Sequence, residues 1–186
     1  MNADIRPIRT PAEQAILALV TKSANDVAAA VGEHLAGSEE RFGQLMTMRA
    51  RAIGMTRTTF RNASGLPDPD NVTTARDMAT LGLRLVRDFP DRYRYFSTVH
   101  FSWGRQLIRN HNRMLGDYDG ADGIKTGFIR DSGFNIVTSA MRDGVRLVGV
   151  TMGGASWVER DRHMGALLDQ GFAQVGVAAR PPSGLM

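Results

Sequence analysis

Across residues 11–36 the apolar side chains Ile16, Leu19, Val20, Val27, Val31 and Leu35 recur three or four positions apart, with alanines filling the gaps. That spacing predicts helices packed closely in a core, since positions three and four apart share one helix face. The polar stretch 21–26 interrupts the pattern and exposes Ser23 and Asn25 in an otherwise apolar helical region. Ser38 then caps a further helix whose first turn carries Glu39 and Glu40. Its expected core face is Phe42, Leu45, Met46, Arg49 and Ile53, and it stops at Gly54.

Residues 61–73 hold Asn62, Ser64, Gly65, Pro67, Asp68, Pro69, Asp70 and Asn71, the chemistry of a long ordered loop. Thr74 and Asp77 open the next helix, with Met78, Leu81, Leu85 and Val86 on its apolar face and Pro90 beyond its end. Aromatic residues alternate with polar ones over 95–103, which predicts a short edge hairpin. The alternation of Phe134, Ile136, Thr138 and Ala140, then Val145, Leu147 and Gly149, flanks Asp143-Gly144 and predicts two antiparallel strands joined by a tight turn. Ser156 and Glu159 form a capping box for a last helix bearing Met164, Leu167, Leu168 and Phe172. The order is helices, strands, then one helix on the sheet: an α+β fold, with one domain over residues 1–176 and a disordered tail over 177–186.

Composition narrows the function classes. The 186 residues carry 42% hydrophobic and 23% charged side chains, with 23 basic and 19 acidic residues scattered along the chain for a net +4. Scattered charge describes a mixed solvated surface and argues against nucleic acid as a partner. With no cysteine, thiolate chemistry and Cys-ligated zinc are excluded. The four histidines have no metal-ligand spacing and no glycine-rich phosphate loop is present, so no cofactor is expected. The longest apolar run near the start, 15–20, is too short for a membrane span or a signal-peptide core.

Two motifs remain. Ser23-Ala24-Asn25 sits in the polar break. Lys125-Thr126-Gly127 begins a strand after Gly123, where a glycine lets a peptide backbone or carboxylate lie close against the strand edge. Ser-x-Asn followed by Lys-Thr-Gly is a pairing of penicillin-binding enzymes and β-lactamases, which also carry an S-x-x-K nucleophile motif. Asn62-Ala63-Ser64-Gly65-Leu66, Thr74-Ala75-Arg76-Asp77-Met78-Ala79, Asp122-Gly123-Ile124-Lys125-Thr126-Gly127 and Met152-Gly153-Gly154 extend the match. The chain resembles the low-molecular-weight D-alanyl-D-alanine carboxypeptidases over roughly residues 11–172.

The resemblance implies the penicillin-binding, β-lactamase-like fold and a serine acyl-enzyme reaction on peptidoglycan stem peptides ending in D-Ala-D-Ala, with β-lactams binding in the same place and the cell envelope as location. It implies catalytic roles for Ser23 in relaying a proton, for Asn25 in holding the substrate amide, and for Lys125 in supplying a positive field. Thr126, Gly127, the Phe128 backbone N–H, Arg109 and Arg160 would bind substrate. None of the nine serines is followed by lysine three positions on, so S-x-x-K is absent from these residues. The expectation is an N-terminally shortened domain, lacking the nucleophile helix and first strands and inactive by itself. The alternative is a non-catalytic module that binds stem peptides or a partner.

Overall fold

Helix α1 (Ala12–Lys22) ends where the sequence turns polar, and Ser23 leaves it in the left-handed conformation with its N–H closing on the Ala18 carbonyl. The chain re-enters a helix at once as α2 (Asn25–Ala36), followed by α3 (Glu39–Ala52), which the Ser38 hydroxyl caps by accepting the Arg41 N–H. These coordinates are a computed structural model that describes residues 11–178.

Apart from Val20, which is buried as expected, and Thr21, the buried positions of the three helices are the smallest residues: Ala15, Ala18, Ala28, Gly32, Gly43 and Ala50. Ile16, Leu35 and Leu45, expected inside, face outward, and so does Arg49. The reason is the closeness of the crossing. A Cβ on Gly32 would lie 2.9 Å from the Phe42 ring, and one on Gly43 would lie 2.8 Å from the Arg61 carbonyl carbon. Large side chains cannot sit between backbones that near, so they turn away.

Helix α4 (Ala75–Asp88) starts at Thr74, whose hydroxyl accepts the Asp77 N–H. A short α5 (Pro90–Tyr93) and a 3-10 turn (Arg94–Ser97) bury Tyr93 and Tyr95. The small hairpin therefore lies later than expected, with β1 (His100–Trp103) paired to β2 (Gln106–Arg109). Residues 95–97 belong to the turn, because Tyr95 packs inward where alternation alone placed it on a strand. Helix α6 (Met114–Asp117) leads into the main sheet.

That sheet is β3 (Ala121–Ile129), β4 (Gly133–Arg142) and β5 (Val145–Gly154) in antiparallel order β3-β4-β5. Asp143 and Gly144, both at positive φ, make the predicted tight turn between β4 and β5. Residues 136–140 of β4 are all buried, as in a strand covered on both faces. On one face Ile136 and Ala140 pack with Met164, Leu168 and Phe172 of α7 (Trp157–Gln174). On the other, Val137 and Ile124 pack with Tyr93, Met78 and Leu85. The sheet thus carries helices on both sides, α4 and α5 opposite α7, where a single covering helix was expected.

Ser156 caps α7 as predicted: its hydroxyl accepts the Glu159 N–H, and the Glu159 carboxylate accepts the Ala155 N–H. The expected boundary after residue 176 falls just short of the ordered core, since Val177 is 7% exposed and its N–H bonds to the Phe172 carbonyl. The rest of the predicted tail, from residue 179, lies outside the described residues. Among the described residues no helix is long and apolar enough to cross a membrane.

Candidate active site

The break between α1 and α2 sets out Lys22, Ser23 and Asn25 on one wall of a groove of about 1130 Å³. Thr21, fully buried, anchors the break by donating to the Leu17 carbonyl. A second wall is the loop after residue 60, and its own side chains shape it. Asn62 donates to the Leu66 carbonyl and accepts the Gly65 N–H, while the Ala63 N–H donates to Glu39 at the start of α3. The Thr59–Val72 bridge closes the loop's base. Asp77 fastens that base to α4: the buried Thr58 hydroxyl donates to its carboxylate at 2.6 Å and the Arg57 N–H at 2.8 Å. These bonds, the Thr58 one first, hold the Asp77 carboxyl below its ordinary pKa of 3.8.

Strand β3 forms the floor. Among the described residues it pairs with β4 alone, so its other edge is open, and Lys125, Thr126, Gly127 and Phe128 line the groove. Lys125 is packed in with its ammonium donating to the Thr126 carbonyl at 2.8 Å, and among the described residues it has no carboxylate partner. Burial first, and the Arg160 guanidinium second, pull its pKa from 10.5 to about 8. The Phe128 ring is exposed and stacks on Phe134 at a centroid distance of 4.4 Å.

Arg160, on the first turn of α7, is only 4% exposed. Its guanidinium bonds Asp161 at 2.7 and 2.9 Å and reaches the Asn135 carbonyl at 3.4 Å. Burial raises the pKa of Asp161. Arg109 stands exposed at the end of β2, opposite His100 in the register.

All eight residues singled out in the sequence therefore line the same groove: Ser23, Asn25, Arg109, Lys125, Thr126, Gly127, Phe128 and Arg160. Sequence reading missed three others on its wall. Lys22 precedes the Ser-x-Asn triplet, His111 follows β2, and Arg113 lies 4.0 Å above the Trp157 ring centroid. The only sequence signal for them was the alternation Asn110-His111-Asn112, which has no meaning until the asparagines are seen to be buried. Among the charged lining residues, Lys22, Arg109, Arg113, Lys125 and Arg160 face a single carboxylate, Asp68. Such a groove favours an anionic ligand, and its open strand edge offers backbone hydrogen bonds to an extended peptide. Among the described residues no cluster of three His, Asp or Glu side chains is arranged to hold a metal.

Comparison with known proteins agrees on the kind of molecule this is. The family profile of D-alanyl-D-alanine carboxypeptidases matches residues 8–156. The chain is 36% identical over 155 residues to the D-alanyl-D-alanine carboxypeptidase DacC of Escherichia coli, covering 83% of this chain and 39% of that one. Its fold superimposes on penicillin-binding protein 5 of Haemophilus influenzae with a TM-score of 0.80 at 32% identity, over 84% of this chain and 46% of the other. Penicillin-binding protein D2 of Listeria monocytogenes in its ampicillin-bound form gives a TM-score of 0.79 at 29% identity, over 86% and 66%. The chain spans about two-fifths of the length of the curated relatives it matches.

Proposed function

Because the chain belongs to the D-alanyl-D-alanine carboxypeptidase family, we propose that its groove takes the D-Ala-D-Ala end of a peptidoglycan stem peptide, and β-lactams in the same place, in the cell envelope. The supporting observation is convergence: Ser23 and Asn25 meet Lys125 and Thr126 across one cationic groove although about a hundred residues separate them. In this reading the peptide lies along the open edge of β3, with Gly127 leaving room for its backbone. Its terminal carboxylate meets Thr126 and the positive side chains, Lys125 first, with Arg109 and Arg160 as further contacts. The Phe128 N–H serves as one oxyanion donor. Ser23 relays a proton to the leaving amine, and Asn25 accepts and donates hydrogen bonds at the scissile amide.

The domain's chemistry is acyl transfer to a serine followed by hydrolysis. Within these 186 residues no serine carries the S-x-x-K context, so we assign this chain by itself the binding and assisting groups and not the nucleophile. Labelling with a fluorescent penicillin tests this. The expected result is no covalent adduct on the isolated chain; an adduct would overturn the assignment. Titration calorimetry with an N-acetylated peptide ending in D-Ala-D-Ala is expected to show saturable binding, and absence of binding would remove the peptide reading.

A further inference from the structure

The wall between β2 and α6 is built by an alternation. Asn110 and Asn112 are buried; both side-chain oxygens accept backbone N–H groups and the Asn110 amide donates to a carbonyl, while the buried Asn112 Nδ2 has no partner among the described residues. Asn110 donates to the Thr98 carbonyl at 2.8 Å and accepts the Asn112 N–H at 2.8 Å, and Asn112 accepts the Met114 N–H at 3.1 Å. With both asparagines drawn inward, His111 between them is left on the outside, where it lines the groove. Its backbone N–H donates to the Thr21 carbonyl at 3.2 Å, which holds it against the end of α1 just before Lys22 and Ser23. The other three histidines, His34, His100 and His163, are exposed and lie outside the groove lining.

The charges around this imidazole come from several elements. Lys22 at the end of α1 and Lys125 on β3 both act on it electrostatically. Arg109 and Arg113 flank it on its own segment, and Arg160 of α7 and Asp68 of the facing loop complete the charged lining. Partial burial first, then Lys125 and Lys22, set its pKa below the ordinary 6.5, so it is largely neutral near neutral pH.

We propose that His111 is a specificity-determining residue of the groove, meeting the acidic end of the bound peptide between Lys22 and Lys125 and making affinity for that end rise as the medium becomes more acidic. The inference rests on the peptide-binding reading above. Its physical basis is linkage. Protonating His111 in the empty groove adds a positive charge beside two lysines, whereas a bound carboxylate offsets that repulsion. Proton and peptide therefore favour each other's binding. A peptide with an amidated C-terminus brings no such charge and gains nothing from the proton.

The test compares wild type, His111→Gln and the remote control His163→Gln by calorimetry, using the N-acetylated D-Ala-D-Ala peptide and its C-terminal amide. Wild type and His163→Gln are expected to bind the acid peptide about three- to tenfold more tightly at about pH 5 than at about pH 7. His111→Gln is expected to show no such gain, and the amide none with any protein. An acid-side gain that survives in His111→Gln, or its absence from wild type, overturns the role of His111 while leaving the peptide reading in place. No binding at any pH sinks both. NMR titration of the wild-type imidazole gives a second readout: added peptide should raise the His111 pKa, and an unmoved titration overturns the proposal.

Discussion

Lys125 is an ammonium kept in a place that disfavours its charge, with a carbonyl for a partner in place of a carboxylate. With its pKa drawn down to about 8, the positive field it supplies is fully present below that pH and fades as pH rises through it, earlier than for an ordinary lysine. Peptide affinity is therefore expected to fall several-fold between about pH 7 and about pH 10. In Lys125→Ala that alkaline loss should vanish and affinity should drop about tenfold or more, the scale of a charge-assisted hydrogen bond; calorimetry across the pH range measures both. Asp77 works in the opposite sense. Its folded carboxyl titrates below the ordinary 3.8, so the stability it contributes is present above that value and is lost as pH falls through the folded pKa. Asp77→Asn should lower the melting temperature at neutral pH, with the gap to wild type narrowing toward about pH 3 in thermal unfolding. A gap that stays constant would show that the charge is not what matters. In the sequence Asp77 was visible as an acidic residue in a first helical turn and as part of a family-like segment, neither of which names its partner. Its bond to Thr58 spans 19 positions, and no local pattern announces it.

At the scale of elements, the helix starts at Ser38, Thr74 and Ser156 and the turn at Asp143-Gly144 were legible because capping and tight turns are short-range chemistry. Which face of a helix is buried was less so. Periodicity assigned Leu45 and Arg49 of α3 to the core, but the crossing of α3 with the loop at Arg61 is so close that Gly43 and Ala50 take the inside. Gly43→Ala puts a methyl against backbone, which cannot swing aside as a side chain does. We expect a loss of about 1–3 kcal/mol in denaturant unfolding, together with weaker peptide binding, because Arg61 begins the groove's loop wall. An effect under about 0.5 kcal/mol would mean the loop yields freely.

For the whole molecule, the sum of charges around the groove matters more than any one pair. Five cationic side chains and one carboxylate line it, although the chain's overall balance is only +4 over 186 residues. Affinity for a carboxylate-terminated peptide should weaken several-fold as salt rises from about 0.05 to about 0.5 M, as the screening length shortens. The amidated peptide should be nearly indifferent over the same range. Equal salt dependence for the two would place the ligand's charge elsewhere.

The order of elements, the α+β class, the two motifs and their family likeness came from the amino-acid sequence alone, because each element and each motif depends on residues within a few positions of one another and the likeness on the order of such motifs along the chain. Only the tertiary structure set Ser23 and Asn25 against Lys125, buried Arg160 and turned His111 into the groove. Those outcomes depend on packing between segments tens of residues apart, where a contact is decided by which faces meet and how closely, and a linear pattern carries no record of either.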